Sequence, residues 1–169
     1  MSPNFRLGLV IALVAVVVDQ ASKWWVLLDV MVPPRIIPVA PFFNIVLTWN
    51  RGVSFGLFNN DGNSGAWIFS ILALIVILIL LLWLRKANSP LVAASLGSII
   101  GGAVGNVIDR VVHLAVMDFL DFFIGEIHWP AFNAADSFIT VGALILIFDS
   151  LFPQNKTKAK LSDDKGSNN

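Results

Sequence analysis

Cysteine is absent from the 169 residues. No disulfide, thiolate nucleophile or Cys-liganded metal can therefore form, and the chain cannot itself carry the lipid of a lipoprotein, which is attached through Cys. Histidine is scarce, and His113 and His128 are few for a metal centre. Charge is scarce as well. Only 13% of residues are Asp, Glu, Lys or Arg, where a soluble domain carries about 25%. The formal net charge is +0, so the charge balance gives no reason to expect a nucleic-acid partner. What remains is apolar: 57% of residues are hydrophobic and the mean hydropathy is +0.81. Such a chain lacks the polar surface to solvate a globule and needs lipid. Its length suits one domain.

A membrane span needs about 20 apolar residues. Four stretches meet this, at about 7–28, 66–84, 91–112 and 131–152. The predicted fold is thus an all-α membrane protein of four transmembrane helices. The run Leu7–Val18 after Arg6 has the look of a cleavable signal peptide. The apolar stretch resumes at Trp24–Leu28, however, so a retained span is expected. Flanking cations set the orientation. Arg6, Arg85, Lys86, Lys156, Lys158, Lys160 and Lys165 lie on one side, and only Arg35 and Arg51 on the other. Both termini are therefore expected in the cytoplasm, and the polar tail 153–169 is expected to be disordered.

The two loops predicted to face outward have structure of their own. Pro33, Pro34, Pro38 and Pro41 break helix. Phe43, Ile45, Leu47 and Trp49 then alternate with Asn44, Val46, Thr48 and Asn50, the period of a strand with one apolar face. Asn50–Gly56 reads as a turn and return. A small extracytoplasmic β-sheet is expected there. The 113–130 loop, with Phe119, Phe122, Phe123 and Trp129 among acids, is expected to hug the interface.

Ionisable groups within spans cost about 2.5–3.5 kcal/mol each on insertion scales and mark function or pairing. Asp19 and Lys23 lie four apart on one helix face, as a structural ion pair or a working one. Ala93, Gly97, Gly101 and Gly105 form a small-residue stripe that admits a neighbouring helix, and Asp109 extends it. Asn106 and Arg110 lie four apart on the adjacent face, where a clamp beside Asp109 would also line a polar cavity. Asn133, Asp136, Ser137 and Thr140 form a polar stripe at the start of the fourth span. Asp118 follows the third span and Asp136 begins the fourth, so the returning chain brings both to similar depth. Two adjacent carboxylates share one proton and can divide the work of base and acid. That suits an aspartic protease. Spacing alone leaves two alternatives: a small membrane transporter or channel using the same polar stripes, and an inactive scaffold.

The ordered motifs decide among these. Asp19-Gln20-Ala21-Ser22-Lys23, Asn50-Arg51-Gly52-Val53-Ser54-Phe55-Gly56, Gly101-Gly102-Ala103-Val104-Gly105-Asn106-Val107-Ile108-Asp109-Arg110, Val116-Met117-Asp118-Phe119 and Phe132-Asn133-Ala134-Ala135-Asp136-Ser137 together resemble the bacterial lipoprotein signal peptidases, or signal peptidase II family. The resemblance covers nearly all of the chain before the tail. It implies an intramembrane aspartyl endopeptidase of the inner membrane that cuts prolipoproteins just before a diacylglyceryl-modified Cys. It implies Asp118 and Asp136 as the catalytic pair, with Asp19, Lys23, Asn50, Gly52, Asn106, Arg110 and Asn133 as supporting or substrate-binding residues. It further implies no metal or organic cofactor, membrane lipid as a partner, and inhibition by globomycin-type cyclic peptides. Ser54, Met117 and the stretch His113-Leu114-Ala115 depart from the usual pattern. Asp121, near Asp118, is expected to be a decoy.

Overall fold

The computed structural model describes residues 1–52 and 64–151. Its elements run α1 (Pro3–Trp25), a π-helical extension (Val26–Val30), β1 (Ile37–Ala40), β2 (Phe43–Asn50), α2 (Ser64–Leu84), α3 (Pro90–His113), β3 (Val116–Ile124), β4 (Ile127–His128) and α4 (Ala134–Leu151). All four α-helices are long and apolar enough to cross a membrane. The four-span expectation holds, with shifts at the ends. The first helix begins at Pro3 because Ser2 caps it, its Oγ accepting the Phe5 N–H. The fourth begins at Ala134 rather than 131, because Phe132 is engaged with β3, exchanging backbone hydrogen bonds with Leu120. The tail, expected to be disordered, and Phe152 lie outside the described residues.

α3 is the hub. It packs on α1, α2 and α4, and is far more buried than they are. The predicted glycine stripe explains how. A methyl group at Gly97 would collide with the Gly8 carbonyl, and one at Gly101 with the Ala12 backbone. Backbone-to-backbone approach of α1 and α3 thus depends on missing side chains. On another face, Gly102 lies against the Ala135 carbonyl of α4 and Gly142 against the Ser95 carbonyl of α3. Ala12, Leu84, Leu96 and Ile100 fill the apolar core between the helices.

A four-stranded antiparallel sheet, in the order β1-β2-β3-β4, sits at the end of the bundle where α1 and α3 finish and α4 starts. The alternating segment forms β2 as expected. Its partners are a correction. The 113–130 segment, expected as a loop hugging the interface, supplies β3 and β4, with Thr48 opposite Asp118 and Asn44 opposite Asp121. The expected return after Asn50 falls largely on Val53–Gly56, outside the described residues. The inner face of the sheet closes a second core of Val26, Met31, Met117 and Phe119.

Candidate active site

Five elements, α1, β2, α3, β3 and α4, deliver the polar residues to one place. β3 carries Asp118, which is 2% exposed. Its Oδ1 accepts the Asn133 side-chain amide at 2.7 Å and its Oδ2 accepts the Asn50 amide at 3.0 Å. Asn50 is itself aimed. Its side-chain oxygen accepts the Gly52 N–H at 2.9 Å, leaving its NH2 for Asp118. Gly52 has φ +87°, and a methyl group there would strike the Phe69 ring of α2. Both facts require glycine.

Asp136 is fixed by the start of its own helix. Asn133 Oδ1 accepts the Asp136 N–H at 3.0 Å, while Asp136 Oδ2 accepts the Asn133 N–H at 3.1 Å. This is a reciprocal capping box built from Asn and Asp. Asp136 Oδ1 accepts the Asn106 amide of α3 at 2.9 Å. Asn133 therefore holds both carboxylates, Asp118 through its side chain and Asp136 through its backbone.

Burial pushes the Asp118 carboxyl up from its ordinary range to about 6. The Asn50 hydrogen bond opposes this and the Asp136 charge adds to it, while the Asn133 hydrogen bond and the Lys23 charge also oppose it. Asp121 differs in every respect. Three residues along a strand from Asp118, it points to the opposite face. Burial pushes its carboxyl up, but hydrogen bonds from His128 at 2.8 Å and Asn44 at 3.0 Å outweigh that and hold it below the usual range.

Behind the pair lies a buried ionic cluster. Lys23 Nζ is 2.8 Å from Asp19 Oδ2 and 2.8 Å from Asp109 Oδ2, and it donates to Asn106 Oδ1 at 3.2 Å. Gln20 joins the two acids, donating to Asp19 at 3.1 Å and Asp109 at 3.0 Å. The sequence singled out Asp19 and Lys23 but not Gln20. The anticipated Asp109–Arg110 clamp is replaced by the Asp109–Lys23 contact. The Arg110 guanidinium donates to the Asn106 carbonyl at 3.2 Å and lies 5.8 Å from the Phe69 ring centroid. Its Nε is the one buried side-chain polar atom without a partner among the described residues.

All the anticipated site residues thus converge, and the polar groups gather at one end. In α2, Ser70 turns its hydroxyl back onto the Ala66 carbonyl at 2.7 Å, so it offers nothing to a path across the membrane. The family model for signal peptidase (SPase) II matches residues 11–152. The chain belongs to the signal peptidase II family. Lipoprotein signal peptidase from Methylorubrum extorquens is 44% identical over 152 residues, covering 88% of each chain. That from Beijerinckia indica is 42% identical, covering 98% of this chain and 99% of its own. A bacterial membrane enzyme solved by the in meso method superposes with a TM-score of 0.73 at 30% identity, over 89% of this chain and 91% of its own. As a signal peptidase II with four membrane-capable helices, this is a multi-pass peptidase of the bacterial inner membrane.

Proposed function

We propose that the chain removes signal peptides from prolipoproteins by aspartic catalysis, with Asp118 and Asp136 as the catalytic pair. The observation that carries this is the shared grip of the buried Asn133 on both carboxylates, the buried Asp118 and the half-buried Asp136. With one proton between them, the ionised carboxylate takes a proton from water as the water oxygen attacks the scissile carbonyl. The protonated partner donates to the carbonyl oxygen. Collapse of the tetrahedral intermediate breaks the C–N bond, and the pair returns a proton to the leaving amine. The raised Asp118 pKa suits it to hold the shared proton.

Finer points follow from the same reading. Both termini lie in the cytoplasm, on the Lys and Arg asymmetry, so the sheet and the aspartates lie at the outer face, where a translocated prolipoprotein presents its cleavage site. Residues 1–152 form one protease domain and 153–169 a cytoplasmic tail. Recognition includes the diacylglyceryl group and surrounding lipid. An open apolar groove of about 620 Å³, lined by Phe42, Phe122, Ile124, Ile127 and Trp129 among others, gives the sheet a surface suited to lipid. Globomycin-type peptides inhibit the enzyme. The test is to incubate the purified protein with diacylglyceryl-modified and unmodified prolipoprotein. Shortening of the modified form alone is expected. No shortening of either would overturn the assignment, and equal shortening would remove lipid from the recognition.

A further inference from the structure

The buried cluster behind the aspartates makes two contacts that its own charge balance does not require. Asp19 Oδ1, on α1, accepts the backbone N–H of Ala135 at 2.9 Å. Asp109 Oδ2, on α3, accepts the backbone N–H of Met117 at 3.1 Å. Ala135 immediately precedes Asp136, and Met117 immediately precedes Asp118. Each acid thus holds the residue just before one member of the pair. Lys23 spans the two acids, 2.8 Å from each, and Gln20 bridges them again. Asp19 is 0% exposed, Lys23 and Asp109 4% each.

We infer that the Asp19–Lys23–Asp109 triad is a positioning device that sets the separation of Asp118 and Asp136 by tying the chain before each of them to a single ammonium group. The inference rests on the proposed role of that pair. The three residues do not touch either carboxylate, and they act through the peptide groups of Ala135 and Met117. A salt bridge serving stability alone could be satisfied by any solvating groups. Here both acids spend an oxygen on the strand and the helix that carry the reacting groups. Two other elements complete the frame. Gly105 leaves room for the Asp19 carboxylate, which a methyl group there would displace. Lys23 also reaches Asn106 Oδ1, whose amide goes on to Asp136. Without Lys23, Asp19 and Asp109 repel one another and the two anchors separate.

Misplacement by about 1 Å can lower a rate by roughly 100-fold. The kinetic test uses Lys23→Met and the nearly isosteric Asp109→Asn, both assayed on lipidated prolipoprotein as folded, membrane-inserted protein. A fall in kcat of about 100-fold for Lys23→Met, and a smaller one for Asp109→Asn, is expected with KM little changed. The pH profile gives a second reading. The charged groups acting on Asp118 are Asp136 from α4, Lys23 from α1 and Arg110 from α3. Loss of Lys23 should move the Asp118 limb upward in pH. Folded variants with wild-type kcat and an unmoved profile would overturn the inference. So would a loss confined to KM.

A reading independent of proteolysis separates this inference from the assignment of the pair. The chain has no native Cys, so Asp118→Cys/Asp136→Cys can be treated with a short thiol–thiol cross-linker. Adding Asp109→Asn to that background should lower the cross-linked fraction by about threefold, and Lys23→Met by more. An unchanged fraction would refute the positioning role whatever the enzyme cleaves.

Discussion

Asn133 and Asp136 cap one another, each accepting the other's backbone N–H, at 3.0 and 3.1 Å. This ties helix initiation to the site, because the same Asn133 donates its side-chain amide to Asp118. Asn133→Ala removes a cap worth about 1 kcal/mol. It also strips the 2.7 Å amide hydrogen bond from the buried Asp118 carboxylate, while the backbone N–H of residue 133 still reaches Asp136. A fall in activity of about 100-fold is expected, larger than the modest loss of thermal stability explains. Asn133→Ser restores the cap but not the reach to Asp118. It should regain stability without regaining activity, and melting curves beside kinetic assays check this.

Asp118 also makes a stability prediction. Its folded pKa, about 6, lies above the ordinary carboxylate value of 3.8. Between these values the folded protein holds a proton that the unfolded chain releases, so stability falls as pH rises from about 4 to about 6. Above that the penalty is complete, at roughly 2–3 kcal/mol. Asp118→Asn removes this dependence but gives up one of two accepted amide hydrogen bonds. The difference in Tm between Asp118→Asn and wild type should therefore shift in the variant's favour between pH 4 and pH 7. A difference independent of pH would show that the buried carboxyl does not carry a raised pKa.

Much of this was legible in the sequence, for different reasons at different places. The spans follow from composition, and the α1–α3 seam from glycines four apart. β2 follows from its alternation. β3 was missed because Val116-Met117-Asp118-Phe119-Leu120-Asp121 is buried at five of its six positions and does not alternate. Its strand state is imposed by pairing with β2, a non-local cause. The same blindness left Asp121 merely near Asp118, whereas the strand sends it to the opposite face. The aspartates stood out by motif. Gln20 did not, since a glutamine beside a charged pair has no distinctive spacing. Asp109 was seen next to Arg110 in sequence, but α1 supplies its actual partner.

Leu114 occupies its place in the fold at a structural cost. It ends α3 with φ +58°, in the left-handed region, its N–H bonded to the Arg110 carbonyl. That conformation costs an L-residue roughly 1–2 kcal/mol, which glycine avoids. Leu114 is only half-buried, so little packing is lost on truncation. Leu114→Gly should raise thermal stability by about 1 kcal/mol without lowering activity. A destabilised variant would mean that the Leu114 side chain holds the α3–β3 corner.

Topology can be read with single cysteines in this cysteine-free chain. Asn88, between α2 and α3, and Glu126, at the β3–β4 turn, are both exposed. Introduced thiols at these two positions should differ in intact cells. An impermeant maleimide is expected to label Glu126→Cys and to leave Asn88→Cys unlabelled until the membrane is opened. The reverse pattern would place the aspartates at the cytoplasmic face, where a translocated prolipoprotein does not present its cleavage site.

The aspartate pair carries the last prediction. Asp118→Asn and Asp136→Asn should each abolish cleavage of lipidated prolipoprotein while leaving a folded, membrane-inserted protein. Asn is nearly isosteric with Asp, so Asn133, Asn50 and Asn106 still meet a side chain of the same shape. It cannot take a proton from water or share one with its partner, so general acid–base catalysis fails. Asp121→Asn is the control. Asp121 is bonded to His128 and Asn44 on the far face of β3, so its loss should loosen the sheet and spare the chemistry. Substantial cleavage by either Asn variant of the pair, in preparations free of wild-type enzyme, would defeat the aspartic mechanism. Loss of activity in Asp121→Asn with Tm unchanged would move the catalytic assignment to the other face of the strand.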